Sequence, residues 1–263
     1  MPRCDRCREL LESPWCSNIR LGLLIVCLFI VLVHYSTTLP TFRVVAIGDS
    51  LIRESQRSYG MLDQISYQIG IVARPYYIQV FNSGVNSDTI GNIRKRLAVD
   101  CYAHAPRIVL LYWDSDVSNY DEYEMSNDEI ADHRWWYLEN LGFVLDRLKE
   151  HSEYILVSGP TLMGEKPRGH NYKDRMMEAY LNMNKNASLS RGIDYLDSRS
   201  EFYRALPSGW NEDSGFLTED GEHMNSRGAQ LMAELVSKRI KSWLLKPAKP
   251  QRLKKKNAHS TNL

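Results

Sequence analysis

Apolar and polar positions alternate along residues 41–245 in blocks that predict strands and helices in turn. Short apolar runs bounded by turn residues predict buried strands at 42–47, 76–81, 107–111, 154–157 and 193–196. Segments with apolar residues at helical spacing lie between and after these strands, at 59–69, 89–99, 132–150, 173–189 and 227–244. Strands that alternate with helices imply a parallel sheet covered on both faces. The pattern therefore predicts an α/β fold, a three-layer, flavodoxin-like domain with about five parallel strands.

A longer apolar run precedes this domain. Residues 21–33 are apolar almost without interruption, and arginines lie before them while few basic residues follow closely. The run is short for a membrane span, which usually needs about 20 residues, although a thinner membrane needs less. The positive-inside bias keeps the arginine-rich end in the cytosol. We therefore predict a basic cytosolic segment over 1–20 and a transmembrane signal anchor over 21–37.

This topology predicts a single-pass type II membrane protein of the secretory pathway, with the domain of residues 41–245 in the lumen or outside the cell. A cleaved signal peptide, which would leave a secreted protein, is the alternative, because the apolar core also has the length typical of one. Asn186-Ala187-Ser188 is a glycosylation sequon that such a location would make usable. Residues 246–263 are basic and lack apolar periodicity, which predicts a disordered tail.

The composition narrows the classes of function. Lys and Arg number 33 and Asp and Glu 32, so the net charge of +1 gives no support for nucleic-acid binding over the whole surface. Only one cysteine, Cys101, lies in the domain, so the domain cannot contain a disulfide. The Cys4-Asp5-Arg6-Cys7 spacing lacks a second pair, and we predict neither a metal site nor a cofactor. The acidic stretch at 114–124 predicts a solvated loop.

The tripeptide Gly48-Asp49-Ser50 directly follows the first predicted strand. Glycine lets the chain turn at the end of the strand, and Asp and Ser suit a turn and the start of a helix. In an open α/β sheet, ligands bind in the crevice beyond the carboxyl ends of the strands. Ser50 is therefore expected at the mouth of a site, where a nucleophilic serine is useful. The alternative is an ordinary strand-to-helix turn.

A candidate base for this serine lies before the last predicted helix, where the alternative is a helix cap with a surface histidine. Asp220-Gly221-Glu222-His223 lies in a turn on the loop side of the sheet. A tight turn of this length can bring the Asp220 carboxylate to one imidazole nitrogen of His223 while the other nitrogen faces a nucleophile. The aspartate would then fix the tautomer of His223 and stabilise its protonated form.

The second predicted strand is followed by a third segment, NSGVNSDT at residues 82–89. Together and in this order, the three segments resemble the SGNH, or GDSL-type, hydrolase family. The resemblance implies that Ser50 is the nucleophile, His223 the base and Asp220 the residue that orients the base. It also implies an oxyanion hole formed by the backbone N–H groups of Ser50 and Gly84.

The block after the third strand departs from this family. Members usually have Gly-x-Asn-Asp there, with the asparagine side chain in the oxyanion hole, whereas this chain has Trp-Asp-Ser-Asp at 113–116. Ser115 stands at the asparagine position, and its hydroxyl can donate a hydrogen bond but reaches less far. We also expect Asp49, Asn86 and Trp113 to line the substrate pocket, with Trp113 as a wall of the acyl site.

These inferences predict a serine esterase that hydrolyses carboxylic esters through an acyl-enzyme intermediate. The resemblance implies small O-acyl substrates, such as acetylated glycans or lipid esters. Two alternatives stay open. An O-acyltransferase on the same scaffold would pass the acyl group to a sugar hydroxyl instead of water. A catalytically inactive binding protein would keep only the fold, and the altered block at 113–116 is the reason to consider it.

Overall fold

The computed structural model describes residues 14–38, 41–54, 60–72, 76–118, 120, 122–168 and 172–244. Most of the predicted cytosolic segment and all of the predicted tail over 246–263 lie outside the described residues. The chain divides into two units, of which one contains the N-terminal helix and the other begins at Phe42 and contains the sheet.

The N-terminal helix, α1, spans Pro14–Thr38. The side chains described in it, those of residues 21–33, are exposed, the large apolar ones included. Within the described part of the chain, no helix is long and apolar enough to cross a membrane. The transmembrane anchor over 21–37 and the topology derived from it stay predictions.

Five parallel strands form the sheet, as the apolar runs predict. The strands stand in the order β2-β1-β3-β4-β5, and their bounds are β1 Thr41–Gly48, β2 Tyr77–Gly84, β3 Ile108–Tyr112, β4 Tyr154–Ser158 and β5 Asp194–Leu196. This order is that of flavodoxin-like sheets. The order reverses between β1 and β3, and the loops that follow these two strands lie at the carboxyl edge, where such sheets bind ligands.

Helices connect these strands, and their order along the chain agrees with the predicted alternation. Their bounds are α2 Ser50–Arg53, α3 Met61–Val72, α4 Ile90–Asp100, α5 Ser115–Ser118, α6 Asn127–His151, α7 Tyr172–Ser190, α8 Ser198–Ala205 and α9 Ser226–Leu244. On α7, the Asn186 side chain is exposed, whereas Ser188, the third residue of the sequon, is buried. Glycosylation at Asn186 stays a prediction.

Two hydrophobic cores cover the two faces of the sheet. Val44 and Ala46 of β1 pack in the core on one face, together with side chains of α3 and α9. Val45 and Ile47 of the same strand pack in the core on the other face, with side chains of α4, α6 and α7. Because successive side chains of a strand point to opposite faces, a strand covered on both faces is apolar at every position. This is why β1 is an unbroken apolar run.

The long helix α6 begins five residues earlier than the apolar periodicity predicts. Its start is fixed by a capping box, in which the Ser126 hydroxyl accepts from the Glu129 N–H and the Glu129 side chain accepts from the Ser126 N–H. A Ser-x-x-Glu signature is visible in the sequence. It lies outside the apolar stripe, and periodicity alone therefore misses it.

Gly48 is a position at which the sheet leaves no room for a side chain. A β-carbon there would lie 1.8 Å from the Tyr112 carbonyl oxygen and 2.8 Å from Ile52 Cγ1. Because the Tyr112 carbonyl belongs to β3, Gly48→Ala must displace backbone. We expect it to lower the free energy of unfolding by about 3 kcal/mol or more, measured by urea denaturation.

The control for this substitution is Gly70→Ala in α3. Among the described residues, no atom lies within 4 Å of a β-carbon at residue 70, apart from the neighbouring residues and backbone of its own helix. Alanine has a higher helix propensity than glycine, so this variant is expected to gain up to about 1 kcal/mol. A Gly48→Ala variant as stable as the wild type would contradict the close approach of β1 and β3.

Candidate active site

Ser50 is held at the carboxyl edge of the sheet by the turn between β1 and α2. Asp49 is the N-cap of α2, and its Oδ1 accepts a hydrogen bond from the Leu51 N–H at 3.0 Å. The Ser50 N–H lies in the first turn of this helix, where amides have no acceptor within the helix. The Ser50 side chain is partly exposed. The turn therefore presents both the hydroxyl and an amide of Ser50 to the crevice.

The Asp220–His223 turn approaches Ser50 from the other end of the chain. Asp220 Oδ1 accepts from the His223 N–H at 2.7 Å and from the Glu222 N–H at 3.0 Å. Asp220 Oδ2 lies 2.7 Å from His223 Nδ1, and His223 Nε2 lies 3.2 Å from Ser50 Oγ. The structure thus brings the three predicted residues together in the order serine, histidine, aspartate.

Charges in the turn set the protonation of this pair. Burial by itself raises the pKa of Asp220, but hydrogen bonds from His223 and the Glu222 amide outweigh it and hold that pKa below its usual range. Burial lowers the pKa of His223, but the hydrogen bond and charge of Asp220, with the charge of Glu222, raise it above 6.5. Asp220 is therefore an anion that stabilises a proton on His223.

Asp49 holds the end of β3 instead of lining a pocket. Its side chain is fully buried, and its Oδ2 accepts from the Asp114 N–H at 2.8 Å and the Ser115 N–H at 2.9 Å. The Ser115 hydroxyl also donates to Asp49 Oδ2, at 2.8 Å. The predictions of Asp49 as a pocket residue and of Ser115 as an oxyanion donor both need correction, because these groups bind each other.

Trp113 also differs from its prediction. Its side chain is buried beside the Tyr137 ring, and its Nε1–H donates to Asp116 Oδ2 at 2.9 Å. Asp116 Oδ2 further accepts from the Ile90 N–H at 2.7 Å, which joins α5 to the start of α4. Burial raises the pKa of Asp116 to about 7, although both donors act in the opposite direction. Trp113 therefore belongs to the core and not to an acyl pocket.

Gly84 is required for close packing. A β-carbon there would lie 2.2 Å from the Arg53 backbone nitrogen, so only glycine allows β2 to approach α2. The Gly84 N–H donates to Asn82 Oδ1 at 2.9 Å, and Asn82 Nδ2 donates to the Ile52 carbonyl at 2.9 Å. The amide predicted for the oxyanion hole is thus already paired. The third pocket candidate, Asn86, is exposed in the turn that follows β2.

Arg96 supports the serine turn, and the motifs in the sequence give no signal for it. From α4, its Nη2 donates to the Gly48 carbonyl at 2.8 Å and its Nη1 donates to the Ser83 carbonyl at 2.7 Å. Its Nε pairs with Asp88. One guanidinium therefore fixes the ends of β1 and β2 relative to each other, directly before Ser50.

Asp114 is a second residue that the motifs do not identify. Contrary to the predicted solvated loop, its side chain is 2% exposed, and within the described residues neither carboxyl oxygen has a hydrogen-bond partner. Asp114 lies two residues beyond Tyr112, the β3 residue that pairs with Gly48 of β1. Burial and the nearby charges of Asp49 and Glu222 raise the pKa of Asp114 well above its usual range. Asp114 therefore keeps its proton to a higher pH than an exposed aspartate does.

This protonation predicts how stability changes with pH. Because the folded chain keeps the Asp114 proton to a higher pH than the unfolded chain, its contribution is complete below pH 3.8 and is lost as pH rises through the folded pKa. Asp114→Asn cannot ionise and keeps a hydrogen-bond donor. We expect this variant to be more stable than the wild type at pH 7, by about 1 kcal/mol.

Urea denaturation at a series of pH values between 4 and 8 checks this expectation. Asp63→Asn, which changes an exposed carboxylate on α3, is the control and should leave the pH dependence unchanged. Parallel stability curves for the wild type and Asp114→Asn would contradict a raised pKa of Asp114.

Comparison with known proteins shows the fold. No protein-family model matches this sequence, and no curated protein matches it significantly. The acetyl xylan esterase AlAXEase is 22% identical, and the alignment covers 76% of this chain and 100% of that one with a TM-score of 0.66. Axe2, an acetylxylan esterase from Geobacillus stearothermophilus, is 19% identical over 77% of this chain and 95% of its own, with a TM-score of 0.63.

A gut microbial diltiazem-metabolizing enzyme is also similar, at 20% identity over 76% of this chain and 46% of that one, with a TM-score of 0.61. The solved structures of Axe2 include catalytic mutants in which a serine, a histidine and an aspartate three positions before that histidine are replaced. The chain has the SGNH hydrolase fold, as the resemblance of its motifs predicts.

Proposed function

We propose that this protein is a serine esterase that hydrolyses carboxylic esters, with Ser50 as nucleophile, His223 as base and Asp220 as the residue that orients His223. The observation that carries the proposal is the continuous contact from Ser50 Oγ to His223 Nε2 at 3.2 Å and from His223 Nδ1 to Asp220 Oδ2 at 2.7 Å. A serine becomes nucleophilic when a base within hydrogen-bond reach is itself oriented by a third group.

The chemistry follows from this contact. Ser50 Oγ bonds to the carbonyl carbon of the ester while its proton passes to His223 Nε2, and Asp220 stabilises the resulting imidazolium. His223 then gives the proton to the leaving alcohol oxygen, and the acyl group stays on Ser50. Water attacks this acyl-enzyme and loses a proton to His223, which returns it to Ser50 Oγ as the carboxylic acid leaves.

The oxyanion of each tetrahedral intermediate needs a hydrogen-bond donor. The Ser50 N–H belongs to the same residue as the reacting hydroxyl, and in the first turn of α2 it has no acceptor within the helix. One such donor contributes about 3 kcal/mol to the transition state. Because the Gly84 amide and the Ser115 hydroxyl have internal acceptors, we assign neither of them to the oxyanion.

The structural neighbours support the substrate class. Two of them are acetyl xylan esterases, and in Axe2 the catalytic aspartate and histidine have the spacing that Asp220 and His223 have here. We therefore propose short O-acyl esters, and acetylated sugars first, as substrates. The location proposed for this activity is the lumen or the cell exterior, which rests on the arginines before residue 21.

A catalytically inactive binding protein is the second candidate function. The observation that favours it is the pairing of the Gly84 amide and the Ser115 hydroxyl inside the protein. Removing an oxyanion donor costs about a hundredfold or more in rate. A site that lacks two donors could therefore bind an acylated ligand without turning it over.

Acetate release decides between these candidates. The full chain is incubated with para-nitrophenyl acetate and with acetylated xylo-oligosaccharides, and acetate is quantified with and without prior treatment by a fluorophosphonate. If the protein is an esterase, we expect it to release acetate, and we expect the fluorophosphonate to abolish this release. Folded protein that binds the acetylated oligosaccharide but releases no acetate supports the binding protein and contradicts the esterase.

A further inference from the structure

One buried carboxylate accepts hydrogen bonds from the backbone amides of residues 216–218, the segment before the Asp220–His223 turn. Glu165, in the loop after β4, is fully buried. Its Oε2 accepts from the Phe216 N–H at 2.9 Å, and its Oε1 accepts from the Leu217 N–H at 2.6 Å. The same Oε1 accepts from the N–H and the hydroxyl of Thr218, at 2.6 and 2.8 Å. Four donors of one segment therefore converge on a single side chain.

Glu165 is ionised in this position. Its burial alone would raise its pKa, but the hydrogen bonds from Phe216, Leu217 and Thr218 outweigh burial and lower that pKa below the usual range. A buried carboxylate without these donors would be unstable, and the donors without the carboxylate would be buried and unpaired. The carboxylate and the segment thus fix each other.

Hydrogen bonds join the segment of residues 216–218 to the turn that carries His223. The Thr218 hydroxyl accepts from the Gly221 N–H at 3.1 Å, and the Gly221 carbonyl accepts from the Gly164 N–H at 2.8 Å. Gly221 has a φ of 94°, a left-handed conformation that favours glycine. The Glu219 N–H also donates to the His223 carbonyl at 2.8 Å. The turn is therefore held at Gly221 by two contacts, directly by the Gly164 N–H and through Thr218 by Glu165.

We propose that Glu165 is a positioning residue that sets the place of the Asp220–His223 pair relative to Ser50. The inference rests on the proposed function, since it concerns the base of that reaction. Within the described part of the chain, Glu165 has no hydrogen bond to Asp220 or His223, and it acts through Thr218 and Gly221. Its loop follows β4, and therefore begins at the same edge of the parallel sheet as the β1 end that presents Ser50.

Glu165→Gln tests the inference in the full chain. The amide nitrogen of glutamine would face the Phe216 or Leu217 N–H with a donor instead of an acceptor, and the charge would be lost. We expect the second-order rate of Ser50 labelling by a fluorophosphonate to fall about tenfold or more, because small displacements of catalytic groups reduce rates strongly. NMR titration of the His223 ring should also give a pKa closer to 6.5, because Asp220 no longer holds Nδ1.

Asp213→Asn is the matched control. The Asp213 carboxylate lies near the same loop and pairs at the surface with Lys166 at 2.8 Å. Its removal should change neither the labelling rate nor the His223 titration. If Glu165→Gln does not fold, Thr218→Val removes the hydroxyl that joins Glu165 to Gly221, and Thr218→Ser should restore the labelling that Thr218→Val loses.

The two readouts separate this inference from the proposed function. A wild type that is folded but never labelled contradicts the esterase, and the His223 titration then still decides the role of Glu165. If the wild type is labelled and folded Glu165→Gln gives the same rate and the same His223 titration, Glu165 is not a positioning residue. A slower rate together with a lower His223 pKa supports the inference.

Discussion

Replacing Ser50 by alanine is expected to lower the rate of ester hydrolysis by about 10⁴-fold or more. Without Oγ no acyl-enzyme can form, and only the Ser50 amide and substrate binding would still act on the transition state. The His223–Asp220 contact of 2.7 Å does not involve the serine side chain, so the fold and the turn should persist. Release of para-nitrophenol from an acetyl ester measures the change, and circular dichroism verifies folding.

Ser226→Ala is the matched control for this loss. Ser226 is an exposed serine at the start of α9, three positions after His223. Its hydroxyl has no role in the proposed chemistry, so this variant should retain hydrolysis. If Ser50→Ala hydrolyses the ester at the wild-type rate, the nucleophile lies elsewhere and the assignment of the site is wrong.

Asp220→Asn is expected to reduce kcat/KM by about 10³- to 10⁴-fold. The amide cannot stabilise the imidazolium that forms during attack, and it does not select the tautomer of His223 that leaves Nε2 free. Because Asp220 raises the pKa of His223, its loss should move that pKa downward. The residual activity depends on neutral His223, so its rise with pH should occur at lower pH than in the wild type.

The pH profile of kcat/KM for the acetyl ester measures both effects. Glu219→Gln, which changes the exposed carboxylate directly before Asp220, is the control and should keep the wild-type rate and midpoint. An Asp220→Asn variant with a reduced rate but an unshifted midpoint would show that Asp220 does not set the protonation of His223.

The fold was predictable because the sheet is covered on both faces. A strand such as β1, with Val44 in one core and Val45 in the other, must be apolar at every position and is easily identified. Alternation with helices then gives a parallel sheet with right-handed connections. Helix ends such as Ser126 were missed, because capping depends on two hydrogen-bonding side chains and not on periodicity.

The site was predictable where the motif is local. Asp220 and His223 stand three positions apart in one turn, and the order of the strands places that turn at the same edge as Ser50. The geometry of the structure agrees with this arrangement. The catalytic roles of the three residues stay a proposal until they are measured.

The direction of side chains after β3 could not be predicted. The alternation of the strand ends at Tyr112. Beyond it, a shift of one position along the chain changes whether a side chain faces the core, the crevice or the neighbouring turn. In the structure, the Trp113 side chain lies in the core, and the Ser115 hydroxyl donates a hydrogen bond to Asp49. Glu165 and Arg96 were missed for a different reason. Each binds backbone groups far away in sequence, and no local pattern marks such a contact.

The most direct test of the account is to find which residue a fluorophosphonate modifies. The full chain is treated with the reagent, digested and analysed by peptide mass spectrometry, alongside His223→Ala. We expect one phosphonylated residue, Ser50, in the wild type and a labelling rate reduced by about 10³-fold or more without His223. A folded wild type that stays unmodified at Ser50, or that is modified at another serine, would contradict it.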